Sequence, residues 1–255
     1  MKTNEILKTL YDSFKIKDGE EWDTNGIIFD FDLDIKKILI TLELTTSIVD
    51  SAIKDNVNLI ITHHPLKTEV KDDETKDWFI NTTLIEKIKS HQISVISLHT
   101  AFDQVSQSIT HKFAKLIELI NIKQDPNNKY VFTGESKSEF GQDFWARKIR
   151  GDLGSPMITA SDKFRTKKIH KFALVAGSGF RFSDYIFKNH DIDVFLTSDL
   201  KYHDWIEANE KNYNIMDVHH LSEYNFVDII YDFLIKKISG VDLLKAEVPL
   251  RLAFY

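Results

Sequence analysis

The stretch Val57-Asn58-Leu59-Ile60-Ile61-Thr62-His63-His64-Pro65 decides the fold. A short apolar run rich in β-branched residues reads as a buried strand. Proline directly after the histidines forbids a smooth continuation of the ladder, so His63 and His64 sit at a strand end. Open α/β sheets bind their ligands at such strand ends. Two adjacent imidazoles there can point in different directions, as ligands of two neighbouring ions need to. A second pair, His219-His220, also follows a short apolar run, Asn214 to Val218.

Outward from this stretch, strand-like and helix-like segments alternate, the pattern of an α/β protein with a largely parallel core. Ile38 to Leu44 reads as a strand, and Thr45-Thr46-Ser47 offers N-caps for a helix through about Lys54. Leu84 to His91 reads as a helix. Ile93 to Leu98 is a strand that ends in His99-Thr100-Ala101-Phe102-Asp103, followed by a helix carrying Phe113, Leu116, Ile117 and Ile120. Further on, Lys171 to Ala176 is a strand that runs into Gly177-Ser178-Gly179 and a helix near Phe182 to Lys188. Val194 to Leu196 opens into Thr197-Ser198-Asp199, and Phe226 to Ile238 has helical periodicity.

Two stretches of equal length, Ile38–Leu66 and Phe172–Leu200, both read as strand-helix-strand units. Each half then holds a histidine followed four residues later by a carboxylate, His99…Asp103 and His219…Glu223. An internal duplication and the common length of βαβ units both account for this. The expected fold is therefore two intimately packed, similar α/β lobes with largely parallel sheets and ligands at strand C-terminal ends. The first lobe spans residues 1–120, a connector or elaborated crossover 121–165, and the second lobe 166–255. Asp125-Pro126-Asn127-Asn128 marks a turn inside the connector.

Composition sets the outer bounds. The 255 residues are 42% hydrophobic and 28% charged with four prolines, which describes an ordinary globular chain. The net charge of −6 offers no basic footprint for nucleic acid; the short run Arg165-Thr166-Lys167-Lys168 reads as a solvated helix end or loop. The absence of cysteine excludes disulfides, thiolate–zinc sites and cysteine nucleophiles, and fits a cytoplasmic location. The N-terminal pattern of Ile6, Leu7, Leu10, Tyr11 and Phe14 is that of an amphipathic surface helix rather than a signal peptide. No segment reaches the ~18–20 apolar residues of a membrane span.

The strand ends together hold His63, His64, His99, Asp103, His219, His220 and Glu223. In a parallel sheet such ends open on one edge, so residues distant in sequence converge. Imidazoles with carboxylates suit first-row divalent ions, and a bridging carboxylate lets two ions sit ~3.5–4 Å apart with open positions for water. If a helix begins at His219, then His219 and Glu223 share its face; if the segment is a loop, that argument lapses. Each residue also has a purely structural role open to it. A strand-end imidazole can simply be capped or solvated, Asp103 can cap a turn, and Glu223 can belong to a capping box. His91, His111, His170 and His190 fall outside the pattern. Gly177-Ser178-Gly179 reads first as a tight strand-to-helix turn and second as a phosphate cradle. No GxxxxGK[ST] loop and no GxSxG elbow occurs, which argues against a P-loop kinase and a serine hydrolase.

The ordered series Thr62-His63-His64-Pro65-Leu66, Leu98-His99-Thr100-Ala101-Phe102-Asp103, Thr197-Ser198-Asp199-Leu200-Lys201-Tyr202-His203-Asp204 and His219-His220-Leu221-Ser222-Glu223 resembles the Ngg-interacting-factor-three-like family, often labelled GTP cyclohydrolase I type 2 homologues. The resemblance runs from Glu21-Trp22-Asp23 to the last helix. It implies a dinuclear divalent-metal centre held by His63, His64, Asp103, His219 and Glu223, and it selects His219 over His220. It also implies a homohexamer with its metal sites facing inward. The chain departs from the family pattern at three places: Trp22-Asp23-Thr24-Asn25-Gly26 stands for Trp-Asp-Asn-x-Gly, Glu43 for an Asp, and Ala101 for an Asn. None removes a ligand.

The resulting expectation is a metal-dependent hydrolase of the GTP cyclohydrolase type. Two divalent cations per chain (zinc, iron, manganese, nickel or cobalt) activate water for attack on a small, nucleotide-like substrate. Glu223, His99 and His203 are the candidate catalytic residues, with His99 and His203 orienting substrate, shuttling a proton or supporting a ligand. The alternative expectation is a non-catalytic metal-binding interaction protein, metallochaperone or scaffold. No membrane partner and no nucleic-acid partner is expected.

Overall fold

The computed structural model describes residues 1–66 and 81–247, which form two compact units. The first takes Met1–Val105 and resumes at Phe226; the second is Ser106–Asn225. The last residues of the expected second lobe, 248–255, lie outside the described residues.

In the first unit the sheet has the order β1-β4-β3-β2-β11, with β1 Gly26–Phe29, β2 Lys37–Thr41, β3 Leu59–Thr62, β4 Ser94–Ser97 and β11 Asp242–Lys245. All its pairings are parallel except that of β1 with β4. Parallel neighbours need crossovers, supplied by α2 (Thr46–Lys54) and α3 (Thr82–Ser90), each started by a side-chain cap. Thr45 Oγ1 accepts from Ile48 N, and Asn81 Oδ1 accepts from Leu84 N. Leu39, Ile60 and Val95 pack with Val49, Ala52, Ile85 and Ile88 in one core. Their neighbours Ile38, Ile40, Leu59, Ile61 and Ile96 are just as buried, so by the pleat both sheet faces are covered. An aromatic chain of Phe14, Phe102, Phe226 and Phe233 links α1 (Thr3–Phe14), the single turn α4 (Thr100–Asp103) and α9 (Asn225–Lys237).

The second unit's sheet has the order β5-β6-β8-β9-β10-β7, with β5 Ile120–Gln124, β6 Phe132–Gly141, β7 Thr159–Ala160, β8 Lys168–Leu174, β9 Val194–Thr197 and β10 Ile215–Asp217. Its centre, β8-β9-β10, is parallel; the pairings of β5, β6 and β7 are antiparallel. Phe172, Leu174, Val194, Leu196 and Met216 pack with α5 (Ile109–Leu116) and α6 (Gln142–Leu153). Ala173, Phe195 and Ile215 face a second cluster with Ile186 of α7 (Ser183–Asn189) and Ala208 of α8 (Tyr202–Glu210).

The division of the chain differs from the sequence expectation in two respects. Residues 121–165 are no connector: they carry β5, β6, α6 and β7, and β6 is hydrogen-bonded into the sheet beside β8. The segment from Phe226 returns to the first unit, where β11 pairs in register with β2. Each difference has its own cause. Polar edge strands such as β5 lack the apolar run that marks a central strand, and helical periodicity in α9 does not say which sheet the helix covers. The turn at Asp125 forms as expected, its Oδ1 accepting from the backbone N–H groups of Asn127 and Asn128.

Candidate metal centre

In the first unit β3 and β4 run parallel and end level, Thr62 opposite Ser97, so both deliver their next residues to one sheet edge. His63 N donates to Thr41 O and His64 N to Leu42 O, which carries the ladder one step past the strand before Pro65 stops it. Ser97 Oγ donates to His63 O, and Leu98 N to Thr62 O. The outcome is a cluster of three imidazoles, His63, His64 and His99, with ligand nitrogens within 4.8 Å of one another. His63 is fully buried. Its ring lies 4.8 Å from that of His64 and 5.0 Å from that of Phe226.

Each of the three rings is held by its Nδ1. That of His63 is 2.9 Å from Leu98 O, that of His64 2.5 Å from Glu43 Oε1, and that of His99 2.9 Å from Asp23 Oδ1. In a neutral ring this places the proton on Nδ1 and the lone pair on Nε2, the arrangement by which acceptors behind an imidazole prepare it for a metal. Asp103 follows on the α4 turn, whose Phe102 and Asp103 N–H groups donate to His99 O. Its Oδ1 stands 3.7 Å from His63 Nε2.

Asp23 and Asn25, read in the sequence only as part of a motif, brace this cluster. Asp23 Oδ2 accepts from Thr100 N at 3.1 Å and Thr100 Oγ1 at 2.6 Å, and Asn25 Oδ1 accepts from His99 N at 2.9 Å. Burial alone would raise the Asp23 pKa. The hydrogen bond and charge of His99, with the Thr100 donors, outweigh it and hold the carboxyl well below the usual range. Of the departures from the family pattern, Glu43 is the acceptor behind His64, while Ala101 is buried beside Asn25.

In the second unit the parallel strands β9 and β10 end with Thr197 opposite Asp217, and place Ser198-Asp199 and His219-His220 at adjacent ends. His219 has φ 70° and ψ 150°, a region that residues with a side chain rarely enter. It is held there by His219 N donating to Asp217 Oδ1, by Ser198 Oγ donating to His219 O, and by a 3.3 Å contact from Leu221 N to its Nδ1. The next residues, His220–Tyr224, form a 3-10 helix rather than the start of α9. The condition for His219 and Glu223 to share an α-helical face is therefore not met. In a 3-10 helix residues i and i+3 eclipse, and it is His220 Nε2 that lies 2.8 Å from Glu223 Oε2.

The other side of the His220 ring meets Asp199, Nδ1 to Oδ2 at 2.5 Å. Burial alone would lower the His220 pKa; the Glu223 charge and the Asp199 hydrogen bond reverse that and push it up to about 11. Gly177 makes room for the Glu223 carboxylate: it adopts φ +71°, and its O accepts from Ser198 N and Thr197 Oγ1. Gly177-Ser178-Gly179 is thus a tight turn, the first of its two sequence readings. His203 is exposed on α8 with its ring edge-on to that of Tyr202, 5.7 Å away.

The donor set fits a first-row divalent ion: imidazoles with their proton fixed on the far nitrogen, next to carboxylates that balance the charge. Comparison with known proteins places the chain in a family. The family model Duf34/NIF3 (NGG1p interacting factor 3) matches residues 1–249, and the chain belongs to that family. A protein of Ureaplasma parvum serovar 3 named GTP cyclohydrolase 1 type 2 homolog is 41% identical over 237 residues, covering 92% of this chain and 90% of its own length. A Campylobacter jejuni protein of the same name is 30% identical over 229 residues, 89% of this chain and 88% of its own. Among solved structures, a hypothetical protein of Staphylococcus aureus superposes with TM-score 0.85 at 22% identity, over 99% of both chains. A Bacillus cereus protein related to NIF3 does so with TM-score 0.83 at 16% identity, over 100% of this chain and 99% of its own. At these identities the structural likeness concerns the fold. Among the described residues, no helix is long and apolar enough to cross a membrane.

Proposed function

We propose that the chain is a divalent-metal-dependent hydrolase in which His63, His64, Asp103, His219 and Glu223 together hold a dinuclear centre. The observation that carries this reading is the trio His63, His64 and His99, each anchored through Nδ1 and with ligand nitrogens within 4.8 Å. The strained backbone of His219 supports it, because such conformations persist where the fold over-determines a functional position. Divalent ions held by these residues would supply Lewis acidity and lower the pKa of a bound water toward neutrality. The substrate is a small, nucleotide-like molecule with an electrophilic ring carbon, as the names of the relatives suggest for them.

The chain's own residues have separable tasks. Leu98 O, Glu43 and Asp23 fix three imidazoles, so no rotation is needed when a ligand arrives. His99, backed by Asp23, is the group for giving or taking a proton at Nε2. His203, on the exposed face of α8, is the second candidate for orienting substrate. Glu223 supplies a carboxylate with room for it at Gly177.

The test has two stages. Metal analysis of the purified protein is expected to give about two divalent ions per chain, and a protein that cannot be loaded overturns the site. The loaded protein is then expected to convert GTP to a ring-opened formamidopyrimidine, an activity lost in Glu223→Gln. Full loading without turnover on any nucleotide favours the second reading, a metal-binding interaction protein, to which the family description as an interacting factor lends support. The homohexamer rests on the family resemblance and the cytoplasmic location on the absence of cysteine; sedimentation of the loaded protein tests the first.

A further inference from the structure

Trp22 is 47% exposed, although its indole is among the most costly surfaces to leave in water. Its surroundings rule out a loosely held loop as the reason. Glu20 N donates to Thr100 Oγ1 at 3.0 Å, Asp23 takes both donors of Thr100, and Asn25 Oδ1 accepts from His99 N. Gly19 closes the segment so tightly that a Cβ there would lie 2.4 Å from Asn25 Nδ2 and 2.9 Å from Ala101 N. The chain on both sides of Trp22 is therefore stapled to the turn that carries His99, and the indole is held in solvent by a rigid support.

Other exposed aromatic rings have ring partners nearby. Phe140 and Phe144 stack on each other at 4.0 Å, and Tyr202 packs on His203. The neighbour of Trp22 is His99, 6.3 Å away with the ring planes at 82°, an edge contact that does not stack on the indole. An aromatic face and an imidazole whose Nδ1 is occupied by Asp23 thus adjoin on one side of the histidine cluster.

We infer that Trp22 is the stacking platform for the planar heterocycle of the substrate, with His99 facing the polar edge of that ring. The inference rests on the proposed hydrolase reading and narrows its substrate class to purine-like nitrogen heterocycles. Ring-on-indole stacking supplies affinity without hydrogen-bond readout, so it tolerates several bases. Selection among them falls to the polar groups around His99.

Calorimetric titration of the metal-loaded full chain tests it, with guanosine as the probe and ribose 5-phosphate as the ring-free control. Trp22→Ala is expected to weaken guanosine binding about 10-fold. Trp22→Phe, which keeps a ring, is expected to hold it within about 3-fold. Neither change is expected to alter metal content, melting temperature or ribose 5-phosphate binding. Guanosine should also quench the wild-type fluorescence, and Trp22→Phe should remove that quenching even if the alanine variant folds poorly. Equal guanosine affinity in wild type and Trp22→Ala, in a protein that turns over GTP, overturns the platform and leaves the hydrolase reading standing. Wild type that is fully loaded yet binds neither guanosine nor GTP overturns both.

Discussion

A Cβ placed on Gly177 would lie 1.8 Å from Glu223 Oε1. The glycine and the carboxylate therefore occupy complementary volumes, and Gly177 also sits at φ +71°, where a side chain is strained regardless of space. Gly177→Ala is expected to cost about 2 kcal/mol or more in urea unfolding and to lower metal content. Removing the carboxylate relieves the clash, so the double variant Gly177→Ala/Glu223→Ala should be less destabilised than the sum of the single ones. Strict additivity would show that the two groups do not compete for this space.

Asp23 gives the acid side of the stability profile a definite sign. Its folded pKa is depressed, so its contribution is present above the unfolded value of about 3.9 and is lost as pH falls through the folded one. Asp23→Asn is expected to cost about 1–3 kcal/mol at pH 7 through weakened hydrogen bonds to His99 and Thr100. The gap between variant and wild type should narrow on acidification, as urea midpoints from pH 7 down to pH 3 would reveal. A constant gap would mean that the Asp23 charge contributes nothing.

The two histidines that open the 3-10 helix are expected to behave differently. His219→Asn should reduce bound metal, as should Glu223→Gln, whereas His220→Asn should retain it because Asp199 holds that ring from behind. Metal content of the three purified variants decides this. Loss in His220→Asn with retention in His219→Asn would transfer the ligand role to His220.

Metal loading is also expected to release protons. Without a cation His220 is an imidazolium facing Glu223, its pKa pushed up to about 11 by that carboxylate and by Asp199. A dication on Glu223 would cancel the largest of the attractions that raise the pKa, and release of the ring's proton is the expected result. Apparent metal affinity should therefore rise with pH. Calorimetry in two buffers of different ionisation enthalpy counts the protons, and a count of zero would refute the exchange.

Much of the site was legible in the sequence because its residues follow directly on central strands. The runs before His63, His99, Asp199 and His219 are short, apolar and β-branched, and strands buried on both faces read that way. What lay hidden was long-range or conformational. Asp23 meets His99 across 76 positions, and nothing in either local pattern announces that contact. The series His219-His220-Leu221-Ser222-Glu223 is compatible with an α-helix and with a 3-10 helix, yet the two pair Glu223 with different histidines. A positive φ at His219 is likewise invisible in a residue type that usually avoids it.

The return of the chain from Phe226 to pair β11 with β2 has a consequence for biosynthesis. A ribosome emits the first unit's β1 to β4, then the whole of the second unit, and only afterwards the strand that covers the open edge of β2. Until Asp242–Lys245 emerges, the nascent sheet exposes an unpaired parallel edge for the time needed to make more than half the protein. Premature termination before that strand would injure the oldest part of the chain and spare the younger one. The proteins that guard unfinished chains would accordingly have most to do at the N-terminal unit.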